Sequence, residues 1–494
     1  MTYKEFTSLI GNSQIINNEK TALTIVETEI KEALSNELKK SEEEYSRERM
    51  GEFITNYVLE KSKNWNIPEY VENGSINNTK LLSRVIRDIL DLGPLEKPMR
   101  DNNIVEIRVD GRWIITVDNN NKSRFLKDEN GKKVHFSSPE EQETIMNHRL
   151  IVDDKAVVNN EFKLVNARTL EGYRVSFADT SVISTDQKNP DENGYASFTI
   201  RKFRDKSYTL KELVKMKTLS DDMAKLCKYL IYNTSLAVVG PVFAGKTTLL
   251  KSLNTYIPDM TRVICIQQPT EQELRRYNAN GELMNDRVMY EADEGAMGID
   301  KDGNLIKYSN TLNNLIAHTL RNSPNIVSLN EIRHPEEFES CILVGQVGNL
   351  INLTFHAETA EEACNIATNK LIAKTGQNFA IGLKDITDVF HFIICQNILG
   401  DGSRAITEIS EICGVDPTDR YKPKINTLYK INITDVKRKD NGQIDEIIWE
   451  HKKVGNLSPE IREKFRLKGM TEDYIETIDP KIENYKCSYD GKEV

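Results

Sequence analysis

Hydrophobic residues in the middle of the chain form short apolar runs that alternate with amphipathic stretches. The runs have the length of buried strands, and the stretches have the three-to-four-residue spacing of helices. The predicted strands and helices lie at 235–239, 247–253, 263–266, 312–321, 326–329, 350–355 and 361–372. Strands that alternate with helices predict a parallel sheet covered on both faces, with a ligand at the carboxyl ends of the strands.

The pattern differs on either side of this region. The segment before residue 79 is rich in Glu, Lys and Asn. Within it, apolar residues recur at four-residue spacing, as a stripe that predicts a docking helix; they are Val26, Ile30, Leu34 and Leu38. An amphipathic helix and short alternating strands then predict an α+β domain, with its elements at 81–90, 104–109, 113–117 and 199–203. Later, the polar stretch 278–310 is predicted as a loop region, and 427–450 as an edge hairpin.

Composition mainly argues against certain classes of function and of location. The net charge of -10 argues against nucleic-acid binding as the main activity, although it leaves room for a local basic patch. The seven cysteines form no C-x-x-C pair, which favours reduced thiols in a cytoplasm. The N-terminus lacks a hydrophobic signal core, and no apolar run approaches the ~20 residues of a membrane span. Membrane association is therefore expected to be peripheral or through a partner.

One motif carries most of the chemistry. The sequence GPVFAGKT, which begins at Gly240, has the spacing G-x-x-x-x-G-K-T and stands between a predicted strand and a predicted helix. In that context, backbone N–H groups and a helix N-terminus face a bound polyanion. We expect Gly240, Gly245 and Thr248 to help form an ATP-binding loop. Lys246 is expected to reach the β- and γ-phosphates, and the Thr247 hydroxyl to bind Mg²⁺.

Two polar residues follow the ends of later strands. Glu331 comes directly after the strand at 326–329 and Asn330, so we expect it beside the phosphates, polarising water or holding Mg²⁺. The competing interpretation is a solvated turn residue. His356 ends the next strand and is predicted to donate a hydrogen bond to the γ-phosphate, against the alternative of a satisfied core histidine.

Residues around these positions recur in a fixed order. They are R-x-x-P-N from Arg321, E-I-R-x-x-E from Glu331, Gly348 and T-F-H-A from Thr354. The flanking sequence adds L-G-P-L-E-K-P from Leu92 and D-G-S-R from Asp401. In this order the motifs resemble those of the secretion ATPases of the type II/type IV secretion and pilus-assembly superfamily. The resemblance is best for the tight-adherence pilus and conjugation branch.

The resemblance implies a homo-hexameric ring of two-domain subunits at the cytoplasmic face of the inner membrane. ATP would lie between the two domains, and its turnover would move the N-terminal domain against its partner. The implied partners are other copies of the chain, inner-membrane secretion or pilus platform proteins, and the membrane surface through peripheral contact. Direct sequence-specific nucleic-acid binding is not implied.

The resemblance also implies roles for individual residues. Arg168, Arg174 and Arg201 match arginines of the N-terminal domain that reach the phosphates and would act like arginine fingers. The alternative for each of them is an ordinary surface arginine. Arg333 would belong to the nucleotide-binding residues.

The implied fold class is α/β, with a RecA-like P-loop NTPase domain preceded by an α+β N-terminal domain and a helical N-terminal extension. The expected segments are the helical extension 1–78, the α+β domain 79–205, a linker helix 206–234, the RecA-like ATPase domain 235–413 and a C-terminal extension 414–494.

Several positions depart from the family pattern. The aspartate box usually reads Ile-Glu-Asp, but Gln267 and Gln268 replace both acids here. Glutamine can hydrogen-bond water but cannot accept its proton or bring charge to Mg²⁺. Glu271, a turn further on, is the expected substitute. Asn349 stands where the first histidine of the histidine box is common, and residues 241–243 are larger than usual for a phosphate loop.

These departures leave two main functions open. The first is a working ATPase motor for secretion, conjugation or pilus assembly. The second is a nucleotide-binding structural or regulatory ring subunit with weak or no hydrolysis. A DNA-translocating ATPase is a third alternative, which the acidic composition disfavours. The cargo, whether pilin, a DNA–protein complex or a secreted protein, has no sequence signal.

Overall fold

The chain forms two compact units, Met1–Asp205 and Lys206–Val494. The computed structural model describes residues 23, 25–27, 29–30, 33–34, 47–65, 67–72, 75–119, 122–146, 164–169, 172–184, 188–189, 193–202, 208–268, 273–292, 297–299, 305–307 and 310–491.

The first unit combines helices with a mostly antiparallel sheet. Its helices are α1 (Arg47–Lys61), α2 (Asn78–Leu90), α3 (Glu96–Arg100) and α4 (Pro139–Ile145). Its strands are β1 (Val71–Glu72), β2 (Ser75–Ile76), β3 (Ile104–Asp110), β4 (Trp113–Asp118), β5 (Ser123–Phe125), β6 (Leu164–Arg168), β7 (Arg174–Ala178) and β8 (Ser197–Arg201).

A helical layer begins this unit. Three residues of the predicted apolar stripe, Val26, Ile30 and Leu34, are on helical backbone and at most 1 % exposed. They belong to one apolar cluster with residues of α1 and α2, so the stripe is the buried face of a helix, as the spacing predicted. Leu38, the last residue of the stripe, lies outside the described residues.

Six strands form the antiparallel sheet of the first unit, in the order β5-β4-β3-β8-β7-β6. Apolar residues such as Ile107, Val109 and Ile200 alternate along the strands and bury one face of the sheet. The runs predicted at 104–109 and 113–117 are β3 and β4. The run predicted at 199–203 is β8, whose last residue is Arg201.

The second unit contains the predicted alternation of strands and helices. Its helices are α5 (Leu210–Lys215), α6 (Asp221–Asn233), α7 (Lys246–Asn254), α8 (Leu312–Thr319), α9 (Pro335–Gln346), α10 (Ala360–Thr375), α11 (Phe379–Val389), α12 (Pro459–Leu467) and α13 (Glu472–Ile478). Its strands are β9 (Leu236–Val239), β10 (Val263–Gln267), β11 (Arg287–Glu291), β12 (Met297–Ile299), β13 (Leu305–Lys307), β14 (Ile326–Leu329), β15 (Leu350–Phe355), β16 (Phe392–Ile398), β17 (Arg404–Val415), β18 (Pro423–Arg438) and β19 (Ile444–Lys453).

A nine-stranded sheet organises this unit, in the order β11-β10-β14-β15-β9-β16-β17-β18-β19. The strands from β11 to β16 are parallel. The four predicted apolar runs are β9, β10, β14 and β15, and they are almost entirely buried because helices cover both faces. In β9, Ala237 and Val239 join the apolar cluster on one face, whereas Leu236 and Val238 join the cluster on the other.

The structure differs from the sequence-based expectation at both edges of this sheet. The stretch 278–310, predicted as a loop region, contains β11 at one edge and the small pair β12 and β13. The prediction was wrong there because β11 begins and ends with charged residues, Arg287 and Glu291, and its apolar run is only three residues long. At the other edge, β17, β18 and β19 extend the parallel sheet with antiparallel strands. The predicted hairpin at 427–450 lies within β18 and β19 and forms this edge.

The hairpin of β18 and β19 extends beyond the neighbouring strand. Lys430 is the last residue along β18 that pairs with β17, whereas pairing with β19 continues to Arg438. Ile433, in the extended part, is exposed. Within the described residues, no helix is both long and apolar enough to span a membrane.

Candidate nucleotide site

The predicted phosphate loop joins the central strand β9 to helix α7, at the carboxyl edge of the parallel sheet. A Cβ atom at Gly240 would lie 1.9 Å from the backbone oxygen of Gln396, so no side chain fits there. Gly245 has φ +93° and precedes the first residue of α7. Phe243 has φ +67°, a conformation that a residue with a side chain rarely adopts. The loop therefore follows a constrained path that needs both of its glycines.

Lys246 closes this loop with its own side chain. Its Nζ donates to the backbone oxygens of Gly240 and Pro241 at 3.0 and 2.9 Å, and lies 3.1 Å from Nδ1 of His356. The residue is only 7 % exposed. Phosphate oxygens can replace these neutral acceptors with stronger, charge-assisted hydrogen bonds.

A chain of polar contacts continues from Lys246 across two neighbouring strands. Nε2 of His356, directly after β15, lies 2.9 Å from Oε1 of Glu331. Oε2 of Glu331 accepts from Nη2 of Arg333 at 2.7 Å. Lys246 can only donate, so the neutral ring with its proton on Nε2 satisfies Lys246 and Glu331. Nδ1 also lies 3.2 Å from the backbone oxygen of Gly240, a contact that a protonated Nδ1 would make. The structure thus brings four predicted site residues together.

The environment of Glu331 favours its ionised form. Burial opposes ionisation of the carboxyl group, but the hydrogen bond and charge of Arg333 outweigh it, with smaller effects from His356 and Lys246. The pKa of Glu331 is therefore held below its ordinary value. At neutral pH this side chain is a carboxylate that can accept a proton or contact a cation.

The two glutamines of the aspartate box have different surroundings. Gln267 is buried, and its Oε1 accepts from Nδ2 of Asn330 at 2.9 Å. Gln268 is exposed and lines a pocket with residues on the carboxyl side of β14. The lining consists of Ile266, Gln268, Leu312, Glu331, Arg333, His334 and Glu337. Glu271, the expected substitute, lies outside the described residues.

The residues expected to bind Mg²⁺ fit a site completed by substrate. Thr247 and Thr248 are half-buried in the first turn of α7. No group of three or more His, Cys, Asp and Glu side chains suited to a metal occurs within the described ranges. Magnesium is commonly held by one or two protein oxygens together with phosphates and water. The Thr247 hydroxyl and the Glu331 carboxylate supply donors of that kind.

The three arginines expected to reach the phosphates belong to the first unit, where they occupy one row of its sheet. Arg168 lies opposite Arg174, and Arg174 lies opposite Arg201 in the register of β6, β7 and β8. Glu106 on β3 continues the row beside Arg201. Residues directly opposite in antiparallel strands share a face of the sheet. No local sequence pattern indicates that residues from three separate strands form a row.

Two residues that contact the loop were not predicted as site residues. Nε of Arg404, at the start of β17, donates to the backbone oxygen of Phe243 at 2.8 Å. Burial lowers the pKa of Arg404 from its ordinary value. Gln396 on β16 packs against Gly240 and Gly245. Arg404 was part of the matched D-G-S-R motif, but nothing in the local sequence of Gln396 connects it with a loop about 150 residues earlier.

Comparison with solved structures gives several matches of low identity. The VirB11 ATPase from the Brucella suis type IV secretion system, in complex with sulphate, is 19% identical with a TM-score of 0.31, and the match covers 66% of this chain and 97% of that one. The Legionella pneumophila ATPase DotB is 14% identical with a TM-score of 0.44, covering 78% and 85%. The pilus retraction motor PilT with bound ADP is 13% identical with a TM-score of 0.45, covering 80% and 99%.

Sequence comparison gives the family. An uncharacterized protein of Methanocaldococcus jannaschii is 27% identical over 151 residues, which are 30% of this chain and 50% of that protein. The chain thus spans about half the length of this curated relative. The model of the family described as "Type II/IV secretion system protein" matches residues 103–400, well over half of the 494-residue chain. The superfamily resemblance noted from the motifs is therefore confirmed, and the chain belongs to the type II/IV secretion system protein family.

Proposed function

We propose that this protein is an ATP-hydrolysing motor of a type IV secretion, conjugation or pilus-assembly machine. The observation that carries the proposal is the polar chain from Lys246 through His356 to the carboxylate of Glu331. A phosphate loop alone only binds nucleotide, whereas hydrolysis also needs a group that orients water. Glu331, which is ionised at neutral pH, is suited to that role.

The same series of polar contacts links nucleotide binding to the hydrogen bonding of Glu331. When Lys246 exchanges its backbone partners for phosphate oxygens, His356 loses the donor at Nδ1. Nδ1 then faces the phosphates, to which it donates when it carries a proton, while Nε2 keeps its contact with the carboxylate of Glu331. Mg²⁺, when bound, supplies positive charge to the β- and γ-phosphates. Thr247 and Glu331 are the residues that we propose to hold it.

Arg168, Arg174 and Arg201 are proposed to stabilise the negative charge that develops during phosphoryl transfer. Their positions directly opposite one another in the register of three neighbouring strands support a shared role. A polyanion is the kind of ligand that adjacent arginines bind. Arginines in such a role contribute on the order of 10³-fold or more to turnover.

Family membership supports the remaining parts of the proposal. We propose that copies of the chain assemble as a homo-hexamer, dock on inner-membrane secretion or pilus platform proteins, and touch the cytoplasmic face of the membrane peripherally. VirB11 and PilT are named as parts of a secretion system and of a retracting pilus, respectively. Pilin, a DNA–protein complex and a secreted protein are the candidate cargoes.

A second candidate function is a nucleotide-binding structural or regulatory subunit with weak or no hydrolysis. The observation that favours it is the amide pair of Gln267 and Asn330, which fills a buried position of the site with neutral groups. Neither amide can take a proton from water. In this second candidate function, ATP binding stabilises an assembly, and ATP hydrolysis is not required for the role of the protein.

ATP binding and hydrolysis by the purified full-length protein separate these functions. We expect Lys246→Ala to abolish binding and turnover, and Lys251→Ala, on the same helix, to preserve both. Protein concentration should be varied and anionic liposomes added. Turnover that requires Lys246 and rises with concentration supports the assembled motor. Binding without turnover supports the second candidate, and transport that persists in cells with Lys246→Ala and Glu331→Gln contradicts the motor.

A further inference from the structure

Gln396 stands at an irregularity of the sheet beside the phosphate loop. In the pairing of β16 with β17, Cys395 lies opposite Glu408 but Gln396 lies opposite Ile406, so Thr407 is an extra residue. Such a bulge changes the direction of nearby side chains and is common next to functional sites. Gln396 is 3 % exposed, which makes it a buried polar residue at the position where the strand passes the loop.

Both glycines of the phosphate loop face this residue. The backbone oxygen of Gln396 occupies the space that a Cβ at Gly240 would need, and its Nε2 would lie 3.0 Å from a Cβ at Gly245. The main chain of Gln396 therefore contacts the first glycine of the motif, and its carboxamide contacts the second. Through these contacts, one residue restricts the path of the loop at both ends.

The carboxamide oxygen of Gln396 is unsatisfied. Oε1 is buried and accepts no hydrogen bond from any of the residues that the structure describes. Buried side-chain oxygens nearly always have a partner, and an exception calls for an explanation such as a missing ligand or a second conformation. Because Gln396 packs against Gly240 and Gly245, the nearest source of donors in a second conformation is the loop backbone, through an N–H group that does not point at the phosphates.

Arg404 restrains the middle of the same loop. Its Nε donates to the backbone oxygen of Phe243, the residue with the positive φ of 67°. Its Cδ would lie 3.5 Å from a Cβ at Gly245. Two residues from adjacent antiparallel strands thus hold the loop on the side of β16 and β17.

We propose that Gln396 is a positioning residue for nucleotide binding, whose Oε1 accepts a hydrogen bond from a phosphate-loop N–H in the nucleotide-bound conformation. Arg404 fixes the turn at Phe243 around which the loop rearranges. The inference rests on the proposed function, namely that this loop binds ATP. It assigns to Gln396 a contribution to affinity through an oxygen that is otherwise buried without a hydrogen bond among the described residues.

This role predicts an unusual combination of effects for Gln396→Leu, which keeps the size of the side chain and removes the amide. The melting temperature of the nucleotide-free protein should stay at or rise above that of the wild type, because the unsatisfied oxygen is gone. The Kd for a fluorescent ATP analogue should rise about tenfold. Gln396→Met serves as a second variant of similar size if Leu does not pack. Neither side chain can accept the new hydrogen bond.

Asn397 provides a matched control. Its Nδ2 donates to Thr407 at 2.7 Å and to the backbone oxygen of Glu358 at 3.2 Å, so its hydrogen bonds are already made in the empty protein. Asn397→Ala should lower the melting temperature and leave the Kd unchanged, which is the opposite signature. In the same assay, Arg404→Ala should weaken binding and Arg404→Lys should restore part of it.

The outcomes separate this inference from the function on which it rests. Wild-type binding that Lys246→Ala abolishes, together with an unchanged Kd in both Gln396 variants, overturns the inference alone. A melting temperature and affinity that fall together in both variants indicate a purely structural residue and also overturn it. If the wild type binds no ATP, the proposed function fails and the inference fails with it.

Discussion

Nε2 of His356 lies 2.9 Å from Oε1 of Glu331. A neutral imidazole has a single proton. On Nε2 this proton faces Glu331 and leaves Nδ1 to accept from Lys246, whereas on Nδ1 it would face the backbone oxygen of Gly240. The same ring therefore contacts the carboxylate of Glu331 on one side and the phosphate-binding ammonium of Lys246 on the other. This relationship makes the charge of Glu331 the property to test first.

Arg333→Ala should move the acid limb of the pH–rate profile to higher pH. Burial raises the pKa of Glu331, and the hydrogen bond and charge of Arg333 are the main opposing effects. Without the guanidinium, the pKa of Glu331 should rise and carry the limb with it. Arg333→Lys should show a smaller displacement because it keeps the charge. Steady-state ATP turnover as a function of pH provides the test, and identical profiles for all three proteins would show that Arg333 does not control the ionisation on which turnover depends.

Restoring acids to the aspartate box should have unequal effects on stability. Gln267 is 1 % exposed and contacts Asn330, so Gln267→Glu places a charge at a buried position. We expect it to lower the free energy of unfolding by about 1–3 kcal/mol. Gln268 is exposed, so Gln268→Asp should change the free energy of unfolding by less than about 0.5 kcal/mol. Urea unfolding of the nucleotide-free proteins measures the difference, and equal losses would contradict the distinct environments of the two glutamines.

Stability should fall in mild acid, and His391 is one of the groups responsible. Burial, together with the charges of Lys464 and Lys468, lowers the pKa of His391 to about 4, whereas in the unfolded chain it titrates near its ordinary value of 6.5. Between these values the unfolded state binds the additional proton, so stability decreases as pH falls through this window and is unaffected above it. The loss is on the order of 3 kcal/mol at most.

The variant His391→Gln isolates this effect. Nδ1 of His391 accepts from the backbone N–H of Ser235 at 3.2 Å, and a glutamine oxygen can accept the same hydrogen bond without titrating. The variant should have a shallower decline of unfolding free energy between about pH 6.5 and 4. His318→Gln, at an exposed position, should follow the wild type. A slope that does not differ among the three proteins would show that His391 is not the titrating group.

Arg174→Ala and Arg201→Ala should reduce kcat for ATP far more than they reduce ATP affinity. Both belong to the row of like charges in the first unit, and we expect losses of roughly 10²- to 10³-fold in turnover. Arg124→Ala on the edge strand β5 is the control, since Arg124 is exposed and paired with Asp118. Turnover that survives both substitutions would leave these arginines as ordinary surface residues.

The parts of the fold that could be read from the sequence are those with a local pattern. The strands β9, β10, β14 and β15 are continuous apolar runs because both of their faces are covered, and the phosphate loop has a fixed spacing. The edge strand β11 has only one neighbouring strand and carries charged ends, so no such pattern marks it. The antiparallel strand β17 was noticed only through the D-G-S-R motif.

For the site, the sequence indicated residue types at strand ends but not their contacts. The predicted positions of Glu331 and His356 followed from the parallel sheet, since the carboxyl ends of its strands meet at one edge. That Lys246 bonds its own loop, and that Gln267 pairs with Asn330, depends on side-chain geometry across different strands. Gln396 was beyond prediction, because a bulge determines its direction and only the folded sheet brings it to the loop.

The antiparallel strands beside the phosphate loop have a mechanical consequence. A continuous hydrogen-bonded ladder joins β9 to the hairpin of β18 and β19, and the hairpin continues eight residues from Lys430 to Arg438, about 27 Å at 3.4 Å per residue. If this ladder rotated as a rigid plate by about 5° at its base, a tip at this distance would move by about 2 Å. On that condition, small angular changes at the loop would become linear displacements at the rim of the sheet.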